Sequence, residues 1–111
     1  MSLSPTDTVS VAQLALWLHD QAPLQLLDVR EPDEYRTCHL PNARLMPVQL
    51  VPDRAHTLDR RLPLVVYCHH GVRSAFIARY LRKNLGFRNV VSVGGGIHAW
   101  AQQVDPAMAQ Y

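Results

Sequence analysis

The sequence is short of the residues that cross-link small proteins through disulfides or metals. Its 111 residues include only two cysteines, and neither a Cys-x-x-Cys nor a His-x-x-x-His spacing occurs that would indicate zinc. A disulfide-rich scaffold is therefore excluded, and we expect no metal and no cofactor. Stability has to come from a hydrophobic core, which a single domain of this length can form.

A large excess of one charge is also missing. The 11 Lys and Arg residues exceed the 9 Asp and Glu residues by two, which gives a formal net charge of +2. The basic residues fall into two clusters of the kind that usually form a solvated face. The charge therefore gives no reason to expect a nucleic acid partner.

Long apolar runs are absent as well. None approaches the roughly 20 residues that a membrane-spanning helix needs, so no membrane partner is expected. Residues 1–10 are polar and lack the apolar stretch of a secretory signal peptide. The sequence thus predicts a cytoplasmic protein, in a reducing compartment that keeps a reactive thiol available.

Short apolar segments that alternate with helical ones are present throughout the chain. Apolar runs predict strands at residues 24–29, 43–46, 64–67 and 90–93. Helical patterns fill the intervals, at residues 10–22, 31–37, 48–59 (interrupted by Pro52), 74–85 and from 96 onward. This alternation predicts one α/β domain over residues 1–111, with its core at about 9–104. Its expected architecture has three layers, a mostly parallel central sheet with helices on both faces.

The loop that follows the strand at 64–67 carries the strongest chemical signal. Cys68 ends the strand, and the helix predicted at 74–85 begins a few residues later. Backbone N–H groups and the helix dipole favour an anion at such a junction, and the thiolate is the reactive form of cysteine. Although a free cysteine is often only a small buried hydrophobe, this position predicts a nucleophile.

The length of this loop narrows the reaction further. Four residues separate Cys68 from Arg73, whereas the loop of cysteine-dependent phosphatases is one residue longer. The shorter loop makes a tighter ring of N–H groups, which suits the terminal sulfur of a persulfide better than a phosphoryl group. A small cysteine-dependent phosphatase or arsenate reductase stays as the alternative, disfavoured also because no clear general acid is visible.

Motifs outside this loop resemble a known family. The segment from Asp28 to Tyr35, followed by residues 39–43, and the closing segment from Gly94 to Trp100 resemble the signatures of the rhodanese sulfurtransferases. Together with the Cys68 loop, the resemblance covers roughly residues 9–104 in the family's order. One departure is Cys38, which stands where the family often has glycine.

This resemblance implies a sulfurtransferase. Cys68 would take a sulfane sulfur from thiosulfate or another persulfide donor and pass it, as a persulfide, to a thiol acceptor or cyanide. A second interpretation keeps this chemistry but makes the chain a protein-fed relay, with a desulfurase as donor and a sulfur-carrier protein or a tRNA-modifying enzyme as acceptor. A noncatalytic family member would be expected to have lost the cysteine.

The loop residues are predicted to bind the substrate. They are His69, His70, Gly71, Val72, Arg73 and Ser74. The amides of residues 69–73 are expected to converge on the sulfur. Arg73 is expected to bind the sulfonate of thiosulfate, or else to form a structural ion pair with Asp28 or another carboxylate. Ser74 is expected first to cap the following helix, and as the alternative to give a further hydrogen bond to the persulfide.

Other polar residues are expected to have supporting roles. Asp28 and Arg30 should pair at the active edge of the sheet, Cys38 should be a packed thiol, and Trp100 should belong to the core. His69 and His70 are expected to be an exposed loop pair, because consecutive residues rarely converge on one metal ion.

Overall fold

A parallel β-sheet organises the computed structural model, which describes residues 8–111. Its strands are β1 (Thr8–Val9), β2 (Gln25–Asp28), β3 (Arg44–Leu45), β4 (Leu64–Tyr67) and β5 (Val90–Val93). The order across the sheet is β1-β5-β4-β2-β3, and every neighbouring pair is parallel. β4 is therefore the central strand, and all the carboxyl ends lie at one edge.

Helices cover both faces of this sheet. They are α1 (Val11–His19), α2 (Pro32–Thr37), α3 (Val51–Arg54), α4 (Val72–Leu85) and α5 (Gly96–Gln103). One buried cluster joins the sheet to residues of α3 and α4, and another joins it to residues of α1 and α5. The predicted three-layer α/β fold is confirmed. Among residues 8–111, no helix is both long and apolar enough to cross a bilayer.

Local signals placed most of these elements correctly. The side chain of Ser10 accepts a hydrogen bond from the Gln13 amide at 3.0 Å and so caps α1. The helical segment around Pro52 is broken into α3 and two 3-10 turns, Val48–Leu50 and Ala55–Thr57. β1 was missed, since two residues are too few for any periodic pattern.

The start of α4 corrects the prediction in a way that matters for the site. The helix begins at Val72, two residues earlier than expected, with Gly71 as its N-cap at a φ of 102°. Ser74 is therefore inside the first turn and not at the cap. α4 ends at Leu85, as predicted, and Gly86 caps it in the left-handed conformation.

Candidate active site

Cys68 lies at the carboxyl end of the central strand. All four residues of β4 are buried, because helices cover both faces of a parallel sheet. β4 runs straight into Cys68, which is 1% exposed, and α4 starts four residues later. This edge of a parallel sheet is where ligands bind in open α/β folds.

The Cys68 sulfur is surrounded by hydrogen-bond donors. Its Sγ accepts hydrogen bonds from the amides of Gly71 at 3.1 Å and Ser74 at 3.3 Å. Within the described residues these two amides bind Sγ, so the predicted convergence of amides 69–73 is correct only for Gly71, and the second amide comes from Ser74. Two N–H groups from the start of α4 therefore point at the sulfur.

The Ser74 hydroxyl faces the sulfur and does not cap the helix. Its Oγ lies 3.4 Å from Cys68 Sγ and 2.7 Å from the Oγ of Ser92 on β5. Both serines are buried, so this pair of hydroxyls supplies polar contacts beneath the thiol. Sequence reasoning missed Ser92, although it is the one polar residue in the run Val90–Val93.

Arg73 is held by a carboxylate from another helix. Its Nη1 and Nη2 donate to Oε1 and Oε2 of Glu34 at 2.7 and 2.9 Å. Hydrogen bonding with Arg73 lowers the pKa of Glu34 to about 2, and the pKa of Arg73 is raised in turn. The alternative left open by the sequence, an ion pair with another carboxylate, is therefore the arrangement observed, and the partner is not Asp28.

Asp28 and Arg30 form the predicted pair, and it is completely buried. Arg30 Nη2 donates to Asp28 Oδ2 at 2.7 Å, and both side chains are 0% exposed. Arg30 also donates to the backbone carbonyls of Glu34 and Cys38. Although burial alone would lower its pKa, hydrogen bonds with Asp28 and Tyr111 raise the pKa of Arg30 overall. The guanidinium thus fastens α2 and the residue after it to the end of β2.

Tyr111 also contacts the site, which sequence reasoning did not anticipate. Its hydroxyl donates to Glu34 Oε2 at 2.7 Å and accepts from Arg30 Nη1 at 2.8 Å. Its ring stacks on His69, with the centroids 3.8 Å apart. Burial raises the pKa of Tyr111 to about 12, so the hydroxyl keeps its proton at neutral pH. No local signal pointed to this residue, since it lies far from the loop in sequence.

The two loop histidines differ in their surroundings. His69 is partly buried, whereas His70 is exposed. Burial, followed by the charge of His70, lowers the pKa of His69. A third histidine, His98 of α5, lies beside both of them and was not considered from the sequence. The predicted exposed loop pair is therefore wrong for His69.

The remaining predicted residues make no contact with the Cys68 sulfur among the hydrogen bonds described above. Cys38 is a partly buried free thiol that packs against the core cluster of α1 and α5. Trp100 is buried in the same cluster, as predicted. Val72, predicted as a loop residue, is the first residue of α4 and is 78% exposed.

Comparison with known proteins gives a consistent picture. Residues 10–103 match the family model of the rhodanese-like domain. Over 106 residues the chain is 37% identical to the probable adenylyltransferase/sulfurtransferase MoeZ of Mycobacterium tuberculosis, which covers 94% of this chain and 27% of that protein. Over 82 residues it is 35% identical to the putative sulfur carrier protein YrkF of Bacillus subtilis, which covers 74% of this chain and 44% of that protein.

Solved structures share the whole fold. The crystal structure of a rhodanese-like domain protein from Staphylococcus aureus matches with a TM-score of 0.80 and 30% identity, covering 95% of this chain and 98% of that one. The chain spans less than half the length of the two curated relatives named above, so their complete activities are not carried over with the match. From the family match, the parallel sheet and the cysteine loop at its carboxyl edge, we conclude that the chain belongs to the rhodanese-like domain family.

Proposed function

We propose that this chain is a sulfurtransferase that carries a sulfane sulfur as a persulfide on Cys68. One observation carries the proposal: the buried Sγ lies between the end of β4 and the start of α4, where it accepts N–H bonds from Gly71 and Ser74. A thiolate in this position is stabilised, and the same groups stabilise the anionic persulfide that replaces it.

The first half-reaction loads the sulfur. The Cys68 thiolate attacks the outer sulfur of thiosulfate, an S–S bond forms to Sγ, and the S–S bond of thiosulfate breaks. Sulfite leaves with the electron pair of the broken bond, and an anionic persulfide remains on Cys68. With a persulfide donor the leaving group is the donor's thiolate, and the charge is again conserved.

The second half-reaction delivers the sulfur. An acceptor thiolate attacks the terminal sulfur of the Cys68 persulfide, and the S–S bond to Sγ breaks. The acceptor leaves as a persulfide, and Cys68 returns as a thiolate; cyanide as acceptor leaves as thiocyanate. No external oxidant or reductant is required in either half.

The first turn of α4 provides further donors for the terminal sulfur. At the N-terminal end of α4, the Ala75 amide donates a hydrogen bond to the Gly71 carbonyl at 3.2 Å. The amides of Val72 and Arg73 precede it and have no intrahelical acceptor. We expect a sulfur attached beyond Sγ to extend toward these amides, and the four residues between Cys68 and Arg73 to make the ring too small for a phosphoryl group.

We assign Arg73 to holding this ring in place through Glu34. The Arg73 guanidinium already binds the Glu34 carboxylate through both Nη atoms. Because this carboxylate compensates its positive charge, the guanidinium should attract a sulfonate only weakly. Arg73→Ala should therefore lower turnover with thiosulfate and with glutathione persulfide by the same factor. A selective loss with thiosulfate would instead assign Arg73 to the sulfonate.

Steady-state assays test the proposal as a whole. Cys68→Ser should abolish thiosulfate:cyanide turnover while circular dichroism shows the fold intact, and the matched variant Cys38→Ser should keep most of the activity. Neither the parent chain nor Cys38→Ser should hydrolyse an aryl phosphate or reduce arsenate. Activity retained in Cys68→Ser, or efficient phosphatase activity in the parent chain, would refute the proposal.

A protein-fed relay is the second candidate, and a surface beside the loop favours it. Val72 and Phe76, one turn apart on α4, are 78% and 64% exposed and share one face of the helix. They lie next to the Cys68 loop, where a protein donor or acceptor would have to dock. The partner that we propose is a sulfur-carrier protein. We also propose that the chain works in the cytoplasm, because a reducing compartment keeps the Cys68 thiol available.

A further inference from the structure

Three histidine side chains converge on one point beside the Cys68 loop. His69 and His70 come from the loop and His98 from the first turn of α5, and one ring nitrogen of each lies within 4.8 Å of the others. The elements are brought together by the backbone, because the Ile97 and His98 amides donate to the carbonyls of Cys68 and His69 at 2.9 and 3.0 Å. The cluster is therefore built into the fold.

Two of the three rings have a buried nitrogen without a partner. Nε2 of His69 and Nδ1 of His98 are both excluded from solvent and make no hydrogen bond among the described residues. Buried polar atoms are nearly always satisfied by protein, water or a bound ion, so each such atom requires an explanation. Both atoms belong to the same cluster, which suggests one shared partner.

We propose that His69, His70 and His98 bind a divalent transition metal ion of the zinc class, through one nitrogen of each ring. Neutral imidazole is a preferred ligand of Zn²⁺, Cu²⁺ and Ni²⁺, and three imidazoles leave a fourth position open for solvent or a substrate group.

Only a small movement is needed to close the site. With metal–nitrogen distances of about 2.0–2.1 Å, two nitrogens of a tetrahedral site lie about 3.4 Å apart. The nitrogens would therefore approach one another by little more than an ångström. His70 is exposed and free to make this adjustment, and its side of the cluster is open for the ion to enter.

The ring of His69 is held in place by Tyr111. It stacks on the Tyr111 ring, with an angle of 10° between the planes. A bound metal would link the Cys68 loop to α5 through side chains as well as through the backbone.

Zn²⁺ titration by calorimetry tests this proposal in a chain whose thiols are removed. In the Cys38→Ser, Cys68→Ser double variant we expect one Zn²⁺ per chain. Adding His98→Ala should weaken binding by at least the 10–100-fold that loss of a supporting contact costs. His56→Ala, which removes an exposed histidine outside the cluster, should leave the affinity unchanged.

Two further measurements keep the test decisive. His70→Ala alters an exposed side chain, so it should weaken binding without affecting folding even if His98→Ala were to unfold. Co²⁺ bound to the double variant should show the visible absorption of nitrogen ligands in a low-coordinate site. Absence of Zn²⁺ binding, or equal affinities with His70→Ala and His56→Ala, would overturn the proposal.

Discussion

At the residue scale, two ion pairs beside the sheet edge illustrate how burial decides the consequence of a charge. Asp28 and Arg30 are both 0% exposed, whereas Arg73 and Glu34 keep side-chain exposures of 37% and 16%. A buried charge that loses its partner is left without solvation, which costs free energy. A partly exposed charge that loses its partner is solvated by water instead. Breaking the Asp28–Arg30 pair should therefore lower the free energy of unfolding strongly. The Arg73–Glu34 pair should contribute mainly to how that free energy changes with pH.

Asp28→Asn should strongly destabilise the protein. The change leaves the Arg30 guanidinium buried without its counter-charge, which typically costs about 3–5 kcal/mol. Urea denaturation measures the free energy of unfolding. Asp59→Asn is the matched control, since it breaks the exposed Asp59–Arg61 pair and should have little effect. Equal losses in the two variants would contradict this assignment.

Glu34→Gln should reduce the loss of stability in acid. Hydrogen bonding with Arg73 lowers the pKa of Glu34 from 4.5 to about 2. The stabilisation is therefore complete above the ordinary value and is lost as the pH falls from about 5 to 2. Thermal melts across this range should show a shallower pH dependence in Glu34→Gln than in the parent.

The control for this pH effect lies on the same helix. Asp33→Asn removes an exposed carboxylate of α2 that has no role in holding Arg73. Its melts should keep the steep acid dependence of the parent. A parent-like slope in Glu34→Gln would mean that the ion pair does not form in solution.

At the scale of elements, the start of α5 packs against the loop that follows Cys68. The helix approaches the loop so closely that a Cβ on Gly96 would overlap the carbonyl oxygens of Cys68 and His69. Gly96 also has a φ of 61°, which side chains rarely adopt. Gly96, part of the closing segment that resembles the family's signature, thus positions the loop that carries Cys68.

Gly96→Ala should therefore damage both stability and sulfur transfer. Gly86→Ala is a matched control, because Gly86 has a similar φ of 74° but ample space around a Cβ. The control should lose about 1–2 kcal/mol from backbone strain alone, with activity retained. Gly96→Ala should lose more and also turn over more slowly. Similar results for the two variants would show that the close approach has no functional consequence.

At this scale, the sequence predicted the elements whose signal lies within a few neighbouring residues. The apolar runs of β4 and β5 were predicted with their observed bounds, because a buried parallel strand is a continuous apolar run. The start of α4 was misplaced since Gly71, Val72 and Arg73 have no periodic apolar pattern. The position of Cys68 between strand and helix needed only these local signals.

At the scale of the whole molecule, the contacts that complete the site join distant parts of the chain. Glu34 meets Arg73, Ser92 meets Ser74, and His98 meets His69. A single sequence records none of these pairings, since each depends on the strand order and on which helix covers which face. The position of Cys68 was therefore predictable, whereas these long-range contacts were not.

The exposed apolar surface on α4 gives a prediction about the partner. Phe76→Ser should leave thiosulfate:cyanide turnover unchanged but weaken sulfur transfer to a sulfur-carrier protein. Leu16→Ser is the control, since Leu16 is 59% exposed on α1, on the other face of the sheet. Transfer to the carrier protein, followed by gel shift or mass spectrometry, measures the effect. Equal transfer by all three proteins would remove the argument for docking at α4.

The central claim, that Cys68 carries the transferred sulfur, is tested most directly by mass spectrometry of the loaded protein. After incubation with thiosulfate or glutathione persulfide and removal of the donor, the intact chain should gain the mass of one sulfur atom. Peptide mapping should place it on Cys68, and an acceptor thiol should remove it. A chain that gains no sulfur, or one that still gains it after Cys68→Ser, would contradict the account.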